Sequence, residues 1–237
     1  MNQQNHDYLQ NQVKYLGFGD HLKDALTSEI QKGIDKFSLQ FPFDNQSNKS
    51  IYTLNFSKSN NSEMYFFNSY ELKLNDLSHT FQVNGTKGVT AKEAINLLEG
   101  RAVKTVVNFK DKGEQDVFMQ LDLDKIKDHD NSKFLPMKYF NEKYGINTAE
   151  ILNKAPVSGF ENYKDDAIKN LEKGNLVKVN FIFKNENIDG FISLNPQYKN
   201  LNYYDDKGQT LNSKYINNDI SDDLELNKLD SNSNIKR

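Results

Sequence analysis

Two stretches of this chain run through the same series of periodicities, and that series restricts the fold more than any other feature. Residues 94–123 and 167–196 each begin with apolar residues at helical spacing. Each then stops at a glycine and continues as two period-two runs joined by a polar turn. Ala94 and Ile95 match Ala167 and Ile168, and Gly100 matches Gly174 with one extra residue in the second stretch. Val103, Val107 and Phe109 match Val177, Phe181 and Phe183, while Phe118, Leu121 and Asp122 match Phe191, Leu194 and Asn195. A helix closed by a left-handed glycine and followed by a hairpin accounts for the pattern. Such a unit cannot bury both of its apolar faces alone, so the two are expected to pack together or extend a common sheet. A fainter third copy starts at residues 25–33.

The remaining pattern is read element by element. Tyr8, Leu9, Val13 and Leu16, then Leu22, Ala25, Leu26 and Ile30, recur at helical spacing, broken at Gly17-Phe18-Gly19. Asp20 is expected to cap the second helix and Gly33 to end it. Alternation follows in Phe37, Leu39, Phe41 and Phe43, in Tyr52, Leu54 and Phe56, and in Met64, Phe66, Tyr70, Leu72 and Leu74, with Asn68 breaking the face. Period two places these side chains on one face of an antiparallel sheet. Polar residues 44–50 and 57–62 read as hairpin connections. Thr90 with Glu93, and Ser158 with Glu161, have the spacing of capping boxes, and Asn147 with Glu150 is suited to cap another helix. A short helix is expected from Pro136 to Gly145.

The fold class is therefore α+β: antiparallel sheets with helices packed on one face, built from helix–glycine–hairpin units. Residues 1–123 form an N-terminal lobe and residues 134–216 a C-terminal lobe, divided by the charged stretch near 124–133; residues from 217 onward form a disordered polar tail.

Composition narrows the function classes. Absence of cysteine removes disulfides, thiolate nucleophiles and Cys-ligated zinc. The N-terminus lacks the basic and apolar regions of a signal peptide, and no apolar run is long enough to span a bilayer, so a cytoplasmic location without membrane association is expected. Net charge is −3, and Asp219, Asp222, Asp223, Glu225 and Asp230 outnumber the three basic residues of the tail, which leaves a nearly neutral body. That is not the electrostatic footprint of a strong duplex binder. Arg101 and Arg237 are the two arginines, so bidentate guanidinium sites are nearly excluded.

The runs Tyr15-Leu16-Gly17-Phe18-Gly19, Ser62-Glu63-Met64-Tyr65-Phe66-Phe67-Asn68 and Ala94-Ile95-Asn96-Leu97-Leu98-Glu99-Gly100-Arg101-Ala102-Val103 resemble a Bacteroidota family of unknown function over roughly residues 1–211. Its members resemble proteins encoded on conjugative or mobilisable elements. The resemblance implies a mobile-element context and a bacterial cytoplasm; it carries no catalytic residue onto this chain.

Candidate sites are few. Asp122, Asp124, Asp128, His129 and Asp130 have the chemistry of a hard-cation site but lack the glycine and terminal Glu of an EF-hand loop, so a solvated loop is expected. Gly17-Phe18-Gly19 lacks the third glycine of a dinucleotide fingerprint. Arg101 is suited to an anion or to its own helix end. His6, His21, His79 and His129 show no metal spacing, and no nucleophile or Walker motif is present. Tyr65, Phe67, Tyr198, Tyr203 and Tyr204 are expected on sheet faces opposite the core or near edges, beside Lys178, Lys184, Lys199 and Lys207. No cofactor is implied. The leading expectation is a non-enzymatic binding or accessory protein whose partner is another protein. The alternative is a single-stranded nucleic-acid binder that stacks bases on those tyrosines.

Overall fold

The computed structural model describes residues 2–45, 48–84, 88–128 and 135–217. The chain forms two compact units, Met1–Asn141 and Glu142–Arg237. The expected tail beyond residue 217 lies outside the described residues.

The first unit starts with helices α1 (Gln3–Val13) and α2 (Lys23–Lys32), followed by strands β1 (Lys36–Asn45), β2 (Asn48–Lys58), β3 (Tyr65–Leu74) and β4 (Leu77–Gln82). These strands form an antiparallel meander in chain order. Helix α3 (Ala91–Leu98) leads to a second antiparallel sheet, β5 (Val103–Phe109), β6 (Gly113–Leu121) and β7 (Met137–Asn141). Leu39, Tyr52, Leu54, Phe56, Tyr70, Leu72 and Leu74, with Phe37 and Phe41 partly buried, share a core with the apolar stripes of all three helices, whereas Phe43, expected among them, is exposed near the end of β1. The opposite face carries polar side chains, the Ser38 hydroxyl donating to Asn55 at 2.8 Å and Asn68 donating to Ser57 at 2.8 Å, together with the exposed apolar residues Ile51 and Phe66.

Phe18 is the centre of this core. It is fully buried, and the rings of Tyr52 and Tyr70 (both 5.3 Å), Phe41 (5.9 Å) and Phe67 (6.4 Å) meet it edge to face. The backbone delivers it there by departing from the α-helix. Lys14–Phe18 form a π-type turn in which Gly17 has φ +96°, a conformation L side chains rarely adopt. The two tyrosine hydroxyls are satisfied at the entrance to α3, Tyr52 donating to the Ala91 carbonyl (2.8 Å) and Tyr70 to that of Val89 (2.6 Å). Burial raises both phenols well above the ordinary tyrosine range, so they stay protonated donors.

The alternation in β3 changes phase within the strand. Tyr65 and Phe67 are buried, Phe66 is exposed, and the buried set resumes at Tyr70, Leu72 and Leu74. Phe56 of β2 pairs with Phe67 while the neighbouring Asn55 pairs with Ser69, which leaves Asn68 as the extra residue of a β-bulge. The expectation that Met64 and Phe66 share the core face with Tyr70 is thereby corrected: one inserted residue moves the preceding side chains to the other face.

Other local expectations are also corrected. Pro136 precedes strand β7, not a helix, because Met137–Asn141 completes the sheet beside β6; the first unit therefore extends to Asn141 instead of ending near residue 123. Asp20 pairs with Lys14 at 3.0 Å and does not cap α2. β1 and β2 continue to Asn45 and Asn48, so the polar residues expected as a connection lie largely in strands. In contrast, Thr90 and Glu93 form the expected capping box.

The second unit contains α4 (Thr148–Lys154), capped by Asn147 as expected, and α5 (Lys164–Glu172). Strands β8 (Val177–Phe183), β9 (Glu186–Asn195), β10 (Asn200–Tyr204), β11 (Thr210–Leu211) and β12 (Ile216–Asn217) form one antiparallel sheet, in the order β11-β10-β9-β8-β12. Ser158 does not enter a capping box. Its backbone bridges Asn180 of β8, and Glu161 instead accepts the Gly159 amide at 2.9 Å.

The matched stretches close their helices with the same bonds. The Gly100 and Gly174 amides donate to Leu97 and Leu171 (both 3.0 Å), and the Arg101 and Asn175 amides donate to Asn96 (2.8 Å) and Asn170 (2.9 Å). This is a Schellman cap, which needs the positive φ that both glycines adopt. The hairpins that follow belong to different sheets, so they do not extend a common one. Their turns differ too: Lys184 and Asn185 both have positive φ, as a two-residue type I′ turn requires, whereas the first hairpin closes through Gly113 at φ +68°.

Phe18→Ala is expected to lower stability by about 3–5 kcal/mol, the cost of an emptied aromatic site in a core. Urea unfolding followed by tyrosine fluorescence measures it; a loss under about 1 kcal/mol would show that the aromatic cluster closes without this ring.

Candidate binding site

The residues singled out from sequence do not assemble into one platform. Tyr65 and Phe67 are buried in the core of the first unit, not on its open face. The bulge at Asn68 puts them there, and Tyr65 is further tied by the two-way bond between its backbone and the Asn5 side chain (3.0 and 2.7 Å). Tyr203 is buried on the inner face of the second sheet, where its ring meets Phe181 edge to face at 5.4 Å; burial raises its phenol. Tyr198, 70% exposed, stands in the β9–β10 turn. Tyr204 lies on the outer sheet face with its hydroxyl 3.0 Å from Ser193. Lys178 is exposed on that face and lies 3.6 Å from Asp189. Register aligns Lys178, Phe191 and Tyr204 in one row across β8, β9 and β10. Phe191 is the member of that row that the sequence reading did not select.

Arg101 serves its own helix end. Its guanidinium donates to Asn96 Oδ1 (2.6 Å) and to the Glu99 carboxylate, and the side chain is 12% exposed. Asn175 makes the equivalent bond in the second unit, donating to Asn170 Oδ1 at 2.8 Å. The difference between the two copies is thus two ways of tying the same cap.

The acidic stretch likewise divides. Asp122 is buried and bonded to Lys138 (3.1 Å) with Lys125 at 3.5 Å; the hydrogen bond from Lys138 holds its carboxyl below the ordinary range. Asp124 is exposed. The side chain of Asp128, with His129 and Asp130, lies outside the described residues. Among the described residues no group of three or more carboxylates and imidazoles converges. Also among them, no helix is long and apolar enough to cross a membrane.

A different set of residues does converge. In the first unit a cleft of about 350 Å³ opens between β4, contributing His79–Gln82, and β5, contributing Thr105–Asn108. Met119, Met137 and Tyr139 line its apolar side. β5 pairs with β6 alone among the described strands, so its other edge is paired with none of them. Along that edge Lys104, Val106 and Asn108 are exposed, while Thr105, Val107 and Phe109 are partly buried on the side shared with Met119 and Tyr139. Phe109 and Tyr139 meet edge to face at 5.5 Å.

His79 is the buried polar residue of the cleft. The Leu135 amide donates to its Nδ1 at 3.2 Å, so the ring proton of the neutral form sits on Nε2. Burial lowers its pKa from 6.5 to about 4. At neutral pH the ring is uncharged, and a pKa this low is poorly matched to proton abstraction. Sequence offered one faint signal for this site: Val106 is an apolar residue on the polar phase of β5. The two methionines and His79 gave none, because their convergence needs the folds of β4, β6 and β7.

No protein-family model, no curated protein and no solved structure matches this chain.

The lowered His79 pKa makes stability depend on pH. The unfolded chain binds this proton near pH 6.5 and the folded chain near pH 4, so the contribution is complete above 6.5 and is lost as pH falls towards 4. The loss is expected to reach about 3 kcal/mol at 1.36 kcal/mol per pH unit. Urea midpoints of the wild type and His79→Gln between pH 7 and 4 measure it; parallel curves for the two would contradict the assignment.

Proposed function

We propose that this protein is a non-enzymatic binding module that accepts an extended segment of another protein along β5, with alternate side chains of that segment entering the cleft. The edge of β5 that pairs with no other described strand carries this reading. A strand edge offers backbone donors and acceptors that bind an extended peptide whatever its sequence, and pockets beside it select alternate side chains. Met119 and Met137 supply a soft apolar lining that adapts to different side chains. Lys104 is a charged guard against indiscriminate edge pairing, and Val106 leaves an apolar contact in the middle of the strand. The resemblance to mobile-element proteins fits an accessory role of this kind.

A second reading, single-stranded nucleic-acid binding, rests on the row of Lys178, Phe191 and Tyr204. Aromatic rings on a sheet face stack bases without regard to sequence. The carboxylate of Asp189 beside Lys178 weighs against it, since it would repel a phosphate.

A displayed library of extended peptides provides the test. Selected binders are expected to slow amide exchange across Val103–Phe109, and Val106→Lys is expected to weaken them at least ten-fold while changing stability by no more than about 0.5 kcal/mol. Binders that protect other segments and ignore Val106→Lys would overturn the proposal. Salt-sensitive capture of a labelled oligonucleotide, lost in Phe191→Ala, would favour the second reading.

A further inference from the structure

The second unit has a cleft of its own, about 450 Å³, between α4 and the β9–β10 turn. Ile151, Leu201 and Tyr203 give it an apolar lining. Three charged side chains border it: Glu150, Lys154 and Lys199. Glu150 and Lys154 neutralise each other, 2.6 Å apart, and the hydrogen bond from Lys154 keeps the Glu150 carboxyl ionised below its ordinary range. Lys199 has no carboxylate within ion-pairing distance among the described residues. The cleft therefore carries one cation in excess.

That cation is held in place. Its Nζ lies 4.9 Å from the centre of the Tyr144 ring, and the Tyr144 hydroxyl donates to the Gln197 carbonyl of the same turn at 2.8 Å. Lys199 itself has φ +52°, a left-handed position where glycine or asparagine is the ordinary occupant of such a turn. A fixed ammonium beside an apolar lining is complementary to a molecule with an anionic head and an apolar body.

We propose that this cleft binds a small organic anion, with its carboxylate or phosphate head on Lys199 and its apolar part against Ile151, Leu201 and Tyr203. The site lies wholly within the second unit and does not depend on the strand-docking reading of the first. Lys154 contributes attraction at longer range, already partly spent on Glu150.

Amide chemical-shift titration of the whole chain with benzoate, phenyl phosphate and inorganic phosphate tests it. Benzoate or phenyl phosphate is expected to shift Gly145, Lys199, Asn200 and Leu201 saturably, and the tighter of the two identifies the head group. Inorganic phosphate is expected to bind at least five-fold more weakly, having no apolar part. Lys199→Asn tolerates the left-handed backbone, so it is expected to keep or raise the melting temperature while weakening the organic anion at least ten-fold. Lys154→Gln is expected to weaken it two- to three-fold. The proposal is overturned if none of the probes shifts these amides at 10 mM, if inorganic phosphate binds as well as the organic anions, or if Lys199→Asn binds as the wild type does.

Discussion

The burial of Phe18 is the contact on which the first unit depends. Four aromatic rings from three strands converge on it, and α1 reaches it only because the chain leaves α-helical geometry at Gly17. A β-carbon at Gly17 would sit 3.4 Å from that of Ala91, at the start of α3, so a close helix approach adds to the backbone requirement there. Tyr52 and Tyr70 bind the same approach from the sheet side, through carbonyls at the entrance to α3. Two helices and the sheet are thereby referred to one ring. A phenol buried at this depth is tolerable only because its hydroxyl has a partner.

Polar side chains fix what packing alone leaves loose. Asn5 bonds both ways to the backbone of Tyr65 and so sets where β3 begins against α1. Asn68 is the bulge that lets β3 present Tyr65 and Phe67 before it, and Tyr70 and Leu72 after it, to the same core. Asn96 and Asn170 occupy equivalent places in the two glycine caps, each accepting from the side chain that follows the glycine. An asparagine-rich sequence thus uses the amide as a local brace in positions where its abundance alone would suggest only a polar surface.

The two clefts follow from where the sheets stop. In the first unit β5 is the last strand of its sheet among the described residues, and Met119 of β6 with Met137 and Tyr139 of β7 lines the cleft that β4 also borders. In the second, the turn after β9 sets Lys199 beside Tyr144, and both it and α4 border the cleft. Both sites are made from strand ends and turns supported by a packed interior, which is where binding groups gain exposure without loss of position. The neutral His79 and the fixed Lys199 give them different chemistry, one suited to main-chain and apolar contacts and the other to an anion.

Periodicity alone determined the α+β class, the antiparallel pairing, the helix stops at Gly33, Gly100 and Gly174, and the cap at Thr90. Each depends on residues within a few positions of one another. Only the tertiary structure decided that Tyr65, Phe67 and Tyr203 face inward and that Met137 begins a strand where a proline suggested a helix. The physical reason is common to both. Burial and strand pairing are set by neighbours from distant parts of the chain, and one extra residue at Asn68 reverses the facing of the side chains before it without altering the local preference for a strand. The helix–glycine–hairpin pattern was legible for the same reason that its role was not: the cap is local, whereas the place of β5 at the end of its sheet among the described strands is set by pairing between distant segments.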